Sequence, residues 1–526
     1  MQKFEKFYFN SFEFDKKTLL AKFFYRFDDK ENFTEEIDFS SDFLHIRDDF
    51  QQEIFDNFLF SLSIALGISY YKLYPTRELV VKSGFLTEED KQFWHKFYLN
   101  GLGEFLYKNK INPNGLFNFV NESDKKYEKI EFKTSDKIFL PIGGGKDSIV
   151  SAELLKRNSY TYTPFVFGKI DTIKLNCLKV TSQEAFLVKR KLDENIFRLN
   201  ELGYYNGHVP ITGIISFVLL CSAYLCDYRY LILSNEKSAN IGNVKMGKCG
   251  NYESISLTTN SVIPVKTGIY SKENLLENTK DSKNFKSKFS HCHSELVSES
   301  GKCKNPFIDS LSSKEGQNKF LEVNHQYSKS LEFEQDLDTF IKRNLSNEIK
   351  YFSLLRGMYE IKIAEIFSKI GKDYFGVFSS CNKNFKINKD HVLPTKYWCN
   401  SCPKCAFVYA VLRPYLTDIE TMQIFGKELY ENKDLENLFK ELLGVKGIKP
   451  FECVGEEDEV VYAMNEALAK FKKEKKDIPY ILEIFEKEVK KNYDEVFFLN
   501  LKNKLFTVYN QETLIPEEIK TKILIG

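Results

Sequence analysis

The sequence predicts an α/β protein centred on a parallel, doubly wound sheet, with an N-terminal α+β domain before it and a mostly helical C-terminal region after it. Three features lead there. From Lys137 to Asn235, short apolar runs alternate with helical patterns, and units of this length imply parallel strands covered on both faces. Three successive glycines, Gly143, Gly144 and Gly145, stand between the first such run and a helix start. After Pro414 the strand signals stop, and charged helical stretches follow (Thr421 to Leu443, Glu457 to Phe471, Ile478 to Tyr493).

Residues 1–130 mix aromatic strand patterns (Phe7 to Asn10, Ala21 to Phe27) with a helical pattern from Asp48 to Leu66, and carry no catalytic signature. They are expected to serve substrate recognition or support. The central domain is expected over residues 131–415 and the helical region over 416–526. Within the centre, Ile138 to Ile142 reads as a strand, Ile149 to Lys156 as a helix and Thr163 to Gly168 as a strand. A helix around Thr181 to Leu199, an apolar helix from Ile211 to Cys226 and a strand from Tyr230 to Asn235 follow. Further on, a helix near Tyr351 to Ile370 carries Arg356, and Tyr374 to Cys381 reads as the next strand. Residues 245–320 lose periodicity and are rich in Lys, Asn and Ser, so they read as a polar insertion in which His291, His293 and Cys303 are not expected to be ligands.

Charge excludes some functions. The 526 residues carry 75 Lys and Arg against 74 Asp and Glu, which offers no general nucleic-acid surface. Ile211 to Cys226 is too short and too rich in small polar residues for a bilayer, so no membrane partner is expected. No secretory signal is visible at the start. Eleven cysteines, some clustered and others in apolar surroundings, suit a reducing cytoplasm with one metal site.

The glycines form the strongest motif. Gly143-Gly-Gly-Lys-Asp-Ser148 follows a strand and opens a helix, so backbone N–H groups can crowd an anion at the positive end of that helix. Lys146 can add a point charge, Asp147 can hold a divalent cation and Ser148 can donate a hydroxyl. Ser234-Asn-Glu-Lys-Ser-Ala-Asn240 follows another strand and is expected to wall the same pocket, through Ser234, Asn235, Glu236 and Ser238. Cys399, Cys402 and Cys405, with Cys381 upstream, have the spacing for one tetrahedral, closed Zn²⁺ site; an iron–sulfur cluster is the alternative. His325 lies in a dense polar cluster that includes Lys329, and Glu452 and Cys453 lie between Pro450 and Gly455.

The glycine motif resembles the pyrophosphate loop of ATP pyrophosphatases, with Gly143 where that loop usually carries Ser. The resemblance implies an adenine-nucleotide-hydrolase-like fold. Together with Val323-Asn-His-Gln-Tyr-Ser-Lys-Ser330, Trp398-Cys-Asn-Ser-Cys-Pro-Lys-Cys-Ala-Phe-Val408 and Lys449-Pro-Phe-Glu-Cys-Val-Gly455, the loop and the Ser234 segment resemble the bacterial UDP-N-acetylmuramoyl-L-alanyl-L-glutamate epimerase family over about residues 130 to 470. The glycine loop and cysteine cluster are also similar to 7-cyano-7-deazaguanine synthase, whose amide or nitrile chemistry is the alternative enzyme reading. A non-catalytic ATP-binding module is the alternative outside enzymes.

The epimerase resemblance implies that the chain inverts the terminal L-glutamate of the UDP-muramoyl dipeptide in the cytoplasm, with ATP and Mg²⁺, through an acyl-adenylate that releases AMP and pyrophosphate. Phosphates would lie on Gly143, Gly144, Gly145, Lys146 and Ser148, Mg²⁺ on Asp147, and the nucleotide or acyl-adenylate against Ser234, Asn235, Glu236 and Ser238. Cys453, Glu452 and His325 are nominated for the proton transfers, each being titratable and within a motif.

Overall fold

The computed structural model describes residues 2–41, 45–168, 172–246, 252–254, 321–385, 397–508 and 513–525. A ten-stranded sheet runs through it. Five strands are parallel: β6 (Ile138–Pro141), β7 (Thr163–Phe167), β8 (Phe186–Lys191), β9 (Tyr230–Leu233) and β13 (Lys350–Ser353), in the order β13-β9-β6-β7-β8. Numbered within this half, that is 5-4-1-2-3. The chain leaves β6 toward β7 and later returns to its other side at β9, so the order reverses between β6 and β9 and leaves a crevice beyond their carboxyl ends.

Residues alternate faces along these strands. Ile138 and Leu140 face the same core as Val166, Ile232 and Phe352, which is completed by the helices Lys146–Arg157, Glu360–Ile370, Pro403–Leu412 and Glu457–Lys473. Phe139, Phe165, Leu231 and Tyr351 face a second core, built with the helices Gln52–Tyr71 and Ile211–Cys226. Gln52–Tyr71 has the length and apolarity of a membrane span, but 94% of that stretch is buried inside the fold. Ile211–Cys226 is likewise a buried helix.

The N-terminal segment continues the sheet. β1 (Lys6–Asp15), β2 (Leu20–Phe27) and β3 (Glu31–Asp38) form an antiparallel meander, and β4 (Glu78–Val81) and β5 (Asn118–Asn121) add parallel to β1. β3 pairs antiparallel with β8, placing Glu36 opposite Lys191 and Asp38 opposite Lys189. The expected N-terminal and central segments therefore share one sheet, which is mostly parallel.

Several expected elements differ from what forms, among them Thr421 to Leu443, which divides into the helix Asp418–Phe425, two 3₁₀ turns and the helix Glu436–Leu442. The stretch read as a helix from Thr181 to Leu199 is a helix end, β8 and a short helix, Asn195–Glu201; its Glu and Lys content favours helix, but Phe186 and Val188 are buried between strands. Tyr351 to Ile370 divides into β13 and the helix Glu360–Ile370. Tyr374 to Cys381 forms no strand; it follows a 3₁₀ turn, and Ser379 donates its N–H to the Gly144 carbonyl at 3.0 Å.

The polar stretch is entered and left through a three-stranded sheet, in which β10 (Val244–Met246) pairs with both β11 (Tyr252–Ser254) and β12 (Leu321–Val323). Its start and end are thereby adjacent. Residues 255–320, including His291, His293 and Cys303, lie outside the described residues.

Candidate active site

A cavity of about 400 Å³ opens beyond the carboxyl ends of β6 and β9. The glycine loop forms one wall. Gly144 adopts φ +85°, the left-handed region that glycine enters without a steric penalty, and Gly145 caps the helix Lys146–Arg157. Gly143, Gly145, Asp147 and Ser148 line the cavity. The Ser148 hydroxyl donates to the Gly145 carbonyl at 3.0 Å.

Lys146 does not line this space. Its side chain is fully buried and ion-paired with Asp147 and Glu360. Burial opposes its charge, but the two carboxylates more than offset this and hold it protonated. Cations at the cavity come instead from Lys174, Lys329 and Lys404. Lys404 also reaches Glu360 at 3.3 Å. Asp147, Glu236 and Glu360 bring carboxylate oxygens within 4.8 Å of one another, an all-oxygen set suited to a hard cation such as Mg²⁺.

The opposite wall begins at β9. Ser234 and Asn235 line the cavity. The Ser234 hydroxyl is buried without a hydrogen-bond partner, whereas Asn235 donates to Ser353 at 3.0 Å. Glu236 turns toward the carboxylate group, and Ser238 lies behind the wall, accepting the Glu360 N–H at 3.3 Å. Arg356 joins the walls: it donates to the carbonyls of Glu236 at 2.9 Å and Lys329 at 2.7 Å, and pairs with buried Glu334.

Cys453 also lines the cavity. Its loop is tied down by Asn243, which donates to the Pro450 carbonyl at 2.8 Å and accepts the His325 N–H at 3.0 Å, and by Gln326, which donates to the Val454 carbonyl at 3.2 Å. These bonds set the Cys453 thiol beside His325. Burial raises the thiol pKa, but Lys329 and His325 outweigh it and bring the value down to about 6. Burial disfavours the His325 cation, yet contacts with Cys453 and Glu104 raise its pKa to about 9. The pair therefore rests as thiolate and imidazolium near neutrality.

Of the three residues nominated for proton transfer, the fold sets Cys453 beside His325, with Glu452 close enough to interact with His325 but engaged elsewhere. The Glu452 carboxylate accepts the Lys404 N–H at 2.8 Å, at the start of the helix Pro403–Leu412. It is occupied with a helix terminus.

The four cysteines meet in a buried cluster. Cys381, Cys399, Cys402 and Cys405 place their sulfurs within 4.8 Å of one another, with Cys402 and Cys399 at 3.5 and 3.6 Å from Cys405. Four sulfurs around one Zn²⁺ at about 2.3 Å would lie ~3.8 Å apart, so the set can hold a metal. Asn400 supplies the left-handed turn between the first two knuckle cysteines, at φ 54°. The cluster also bears on the cavity, because Ser379, Ser380 and Lys404, which line it, are sequence neighbours of these ligands.

A glycine loop at a helix N-terminus, beyond the switch point of parallel strands and with Lys174, Lys329 and Lys404 on the lining, defines an α/β protein whose cavity is suited to an anion. The family model described as "MurL N-terminal domain" matches residues 1–252 and 309–354, and the one described as "MurL C-terminal domain" matches residues 377–496. The chain belongs to the MurL family. It is 28% identical over 403 residues to a UDP-N-acetyl-alpha-D-muramoyl-L-alanyl-L-glutamate epimerase of Xanthomonas oryzae pv. oryzae, covering 77% of this chain and 72% of that one. Proteins of the same name from Micromonospora sp. and Salinispora tropica are 29% and 28% identical, each over 77% of this chain and over 73% and 71% of their own lengths. No solved structure matches.

Proposed function

We propose that this chain is an ATP- and Mg²⁺-dependent epimerase that inverts the terminal L-glutamate of UDP-MurNAc-L-Ala-L-Glu in the cytoplasm, on a doubly wound domain of adenine-nucleotide-hydrolase type. The observation that carries this reading is that the glycine loop and the ionisable Cys453 thiol open onto one cavity. Family membership and the relatives' names support the substrate.

The cavity can separate the reaction into two steps. First, a carboxylate oxygen of the terminal glutamate attacks the α-phosphorus of ATP, forming an O–P bond while the bond to the β-phosphate oxygen breaks and pyrophosphate leaves. The N–H groups of Gly143 to Gly145, the Ser148 hydroxyl and the Lys174 and Lys404 ammonium groups hold the phosphates, and the orphaned Ser234 hydroxyl offers a bond to the nucleotide or acyl group. Asp147, Glu236 and Glu360 would hold Mg²⁺, which would neutralise charge on the polyphosphate.

Adenylation removes the carboxylate charge that opposes carbanion formation, so the Cα–H becomes acidic. The Cys453 thiolate takes this proton, and the electron pair passes into the acyl carbonyl. His325 and Lys329 keep the thiolate available. Because Cys453 and His325 are neighbours, they form one proton-transfer unit on one side of the substrate. Reprotonation of the opposite face needs a second acid, for which Lys174, another ammonium lining the cavity, is the candidate donor; proton exchange with solvent then returns Cys453 and that lysine to their starting states. Water then cleaves the acyl–phosphate bond, releasing AMP and D-glutamate at the dipeptide end.

The four-cysteine cluster is proposed to hold structural Zn²⁺, because its short sulfur separations suit a single ion better than a wider iron–sulfur cluster. Incubation with UDP-MurNAc-L-Ala-L-Glu, ATP and Mg²⁺, followed by chiral analysis of the glutamate, tests the activity. Inverted glutamate with stoichiometric AMP is expected; ADP in place of AMP, or no inversion, would refute it.

A further inference from the structure

The reading of Cys453 as the base leaves open what holds its histidine in place, and the answer lies in the N-terminal segment. The Nδ1 atom of His325 is bonded to the Glu104 carboxylate, on the helix Gly103–Lys108. Glu104 is buried, pairs with Lys108, and has the Nδ1 atom of His208 at 3.5 Å. The same helix touches the Cys453 loop directly: the Tyr107 ring lies 5.2 Å from that of Phe451, and Lys108 stands 5.3 Å from the latter. Glu104 thus reaches a residue 221 positions away and fixes its ring.

We propose that Glu104 is the positioning residue of the proton-transfer unit, so that the N-terminal segment completes a Cys453–His325–Glu104 chain whose thiol end opens on the cavity. A carboxylate bound to Nδ1 fixes the ring, leaves the other ring nitrogen available to a second partner and favours the protonated ring. The proposal rests on the thiol reading above.

The charged groups around the chain agree with it. Lys329, His325 and Lys404 face the sulfur. Glu104, Glu452 and His208 surround His325, and Lys108 and Lys72 stand beside His208. Burial and the neighbouring His325 charge push the His208 pKa down to about 3, so His208 remains neutral while His325 carries the proton. Burial would raise the Glu104 pKa, but His325 and Lys108 hold it near 2.

The test compares Glu104→Gln, Glu104→Asp and Cys453→Ser in the full chain. Alkylation of Cys453 by iodoacetamide, followed by peptide mass mapping as a function of pH, reads the thiol without turnover. Inversion of the dipeptide glutamate and ATP-dependent AMP release are measured in parallel. The expected result for Glu104→Gln is an alkylation midpoint about one pH unit or more higher, because His325 loses one of the two groups that keep it protonated, and at least tenfold slower inversion with KM for ATP unchanged. Glu104→Asp should restore part of both and covers the case in which the glutamine variant does not fold. Loss of inversion in Cys453→Ser combined with an unchanged thiol titration in both Glu104 variants overturns the proposal alone. Wild-type inversion by Cys453→Ser overturns the thiol reading and the proposal with it. A stoichiometric metal lost on Glu104→Gln would also overturn it, identifying these residues as ligands.

Discussion

Gly144→Ala and Gly143→Ser change adjacent positions of one loop and are expected to act in opposite directions. At Gly144, φ is +85°, and an added Cβ would lie 2.6 Å from the Cγ2 atom of Ile173, a core residue. Ordinary carbon contacts begin near 3.5 Å, so the loop or the helix carrying Ile173 must move by about 1 Å. The left-handed conformation costs an alanine about 1–2 kcal/mol, and overpacking adds about 1–3 kcal/mol. The expected loss is therefore ~2–5 kcal/mol. The shift also disturbs Lys174, one residue beyond Ile173, and the bond from Ser379 N–H to the Gly144 carbonyl.

At Gly143 φ is not positive, and no atom lies within 4 Å of an added Cβ. Serine there should leave stability unchanged or raise it by about 0.4–1 kcal/mol through the unfolded chain. Its hydroxyl would enter the cavity. One added hydrogen bond to a charged phosphate contributes at most about 1.5–3 kcal/mol, or roughly ten- to hundredfold in ATP affinity. Urea midpoints report stability, and calorimetric titration with ATP and Mg²⁺ reports affinity. A Gly144→Ala protein with wild-type midpoint and wild-type ATP binding would refute the account of the loop, as would a Gly143→Ser protein that is folded but no longer binds ATP.

Inversion should follow a bell-shaped pH profile. It rises through about pH 6 as Cys453 ionises and falls above about pH 9 as His325 loses its proton; a rate that stays constant down to pH 5 excludes this thiol as the base. Cys405→Ser should remove one equivalent of zinc and weaken ATP binding, because Ser379, Ser380 and Lys404 lose their anchor; metal analysis and calorimetry check the two effects together. Glu360→Gln leaves the Lys146 charge buried with a single carboxylate and should cost about 3–5 kcal/mol in urea unfolding, with partial recovery when Lys146→Met is added.

The sequence makes some of this site visible and hides the rest for identifiable reasons. The glycine loop and the Cys399, Cys402 and Cys405 spacing are local patterns set by neighbours along the chain, and the strand–loop–helix turn and the close approach of the cysteines both form. Lys146 was expected at the phosphates because of its place in the motif. The deciding partner, Glu360, is 214 residues away and looks in sequence like an ordinary helix-start acid. Glu104 is equally silent, set in a short helix with Phe105, Leu106 and Tyr107 around it. Lys404 was hidden by its cysteine neighbours, which drew attention to the metal and away from the ammonium between them. Strand β8 was obscured by the Lys and Arg of its second half, which an interior strand tolerates where Arg190 is bonded to Glu35 at 2.5 Å.

These long-range contacts also explain why the chain combines segments of such different character around one cavity. Adenylation needs fixed dipoles and cations at a polyphosphate, which the parallel half provides from β6 and its glycine loop. Proton removal from carbon needs a base that is ionised yet desolvated, and a thiol can be both only beside buried positive charge. Lys329 and His325 provide that charge, but neither could be kept protonated in so buried a place without acids of its own. The Cys453 thiolate is the first such partner for both; beyond it, Glu104 from the N-terminal helix serves His325, and Glu236, Asp147 and Glu360 from the phosphate wall serve Lys329. The same carboxylates that suit Mg²⁺ thus sustain the ammonium that sustains the thiolate, so a substitution at Glu236 or Glu360 should alter nucleotide binding and thiol titration together.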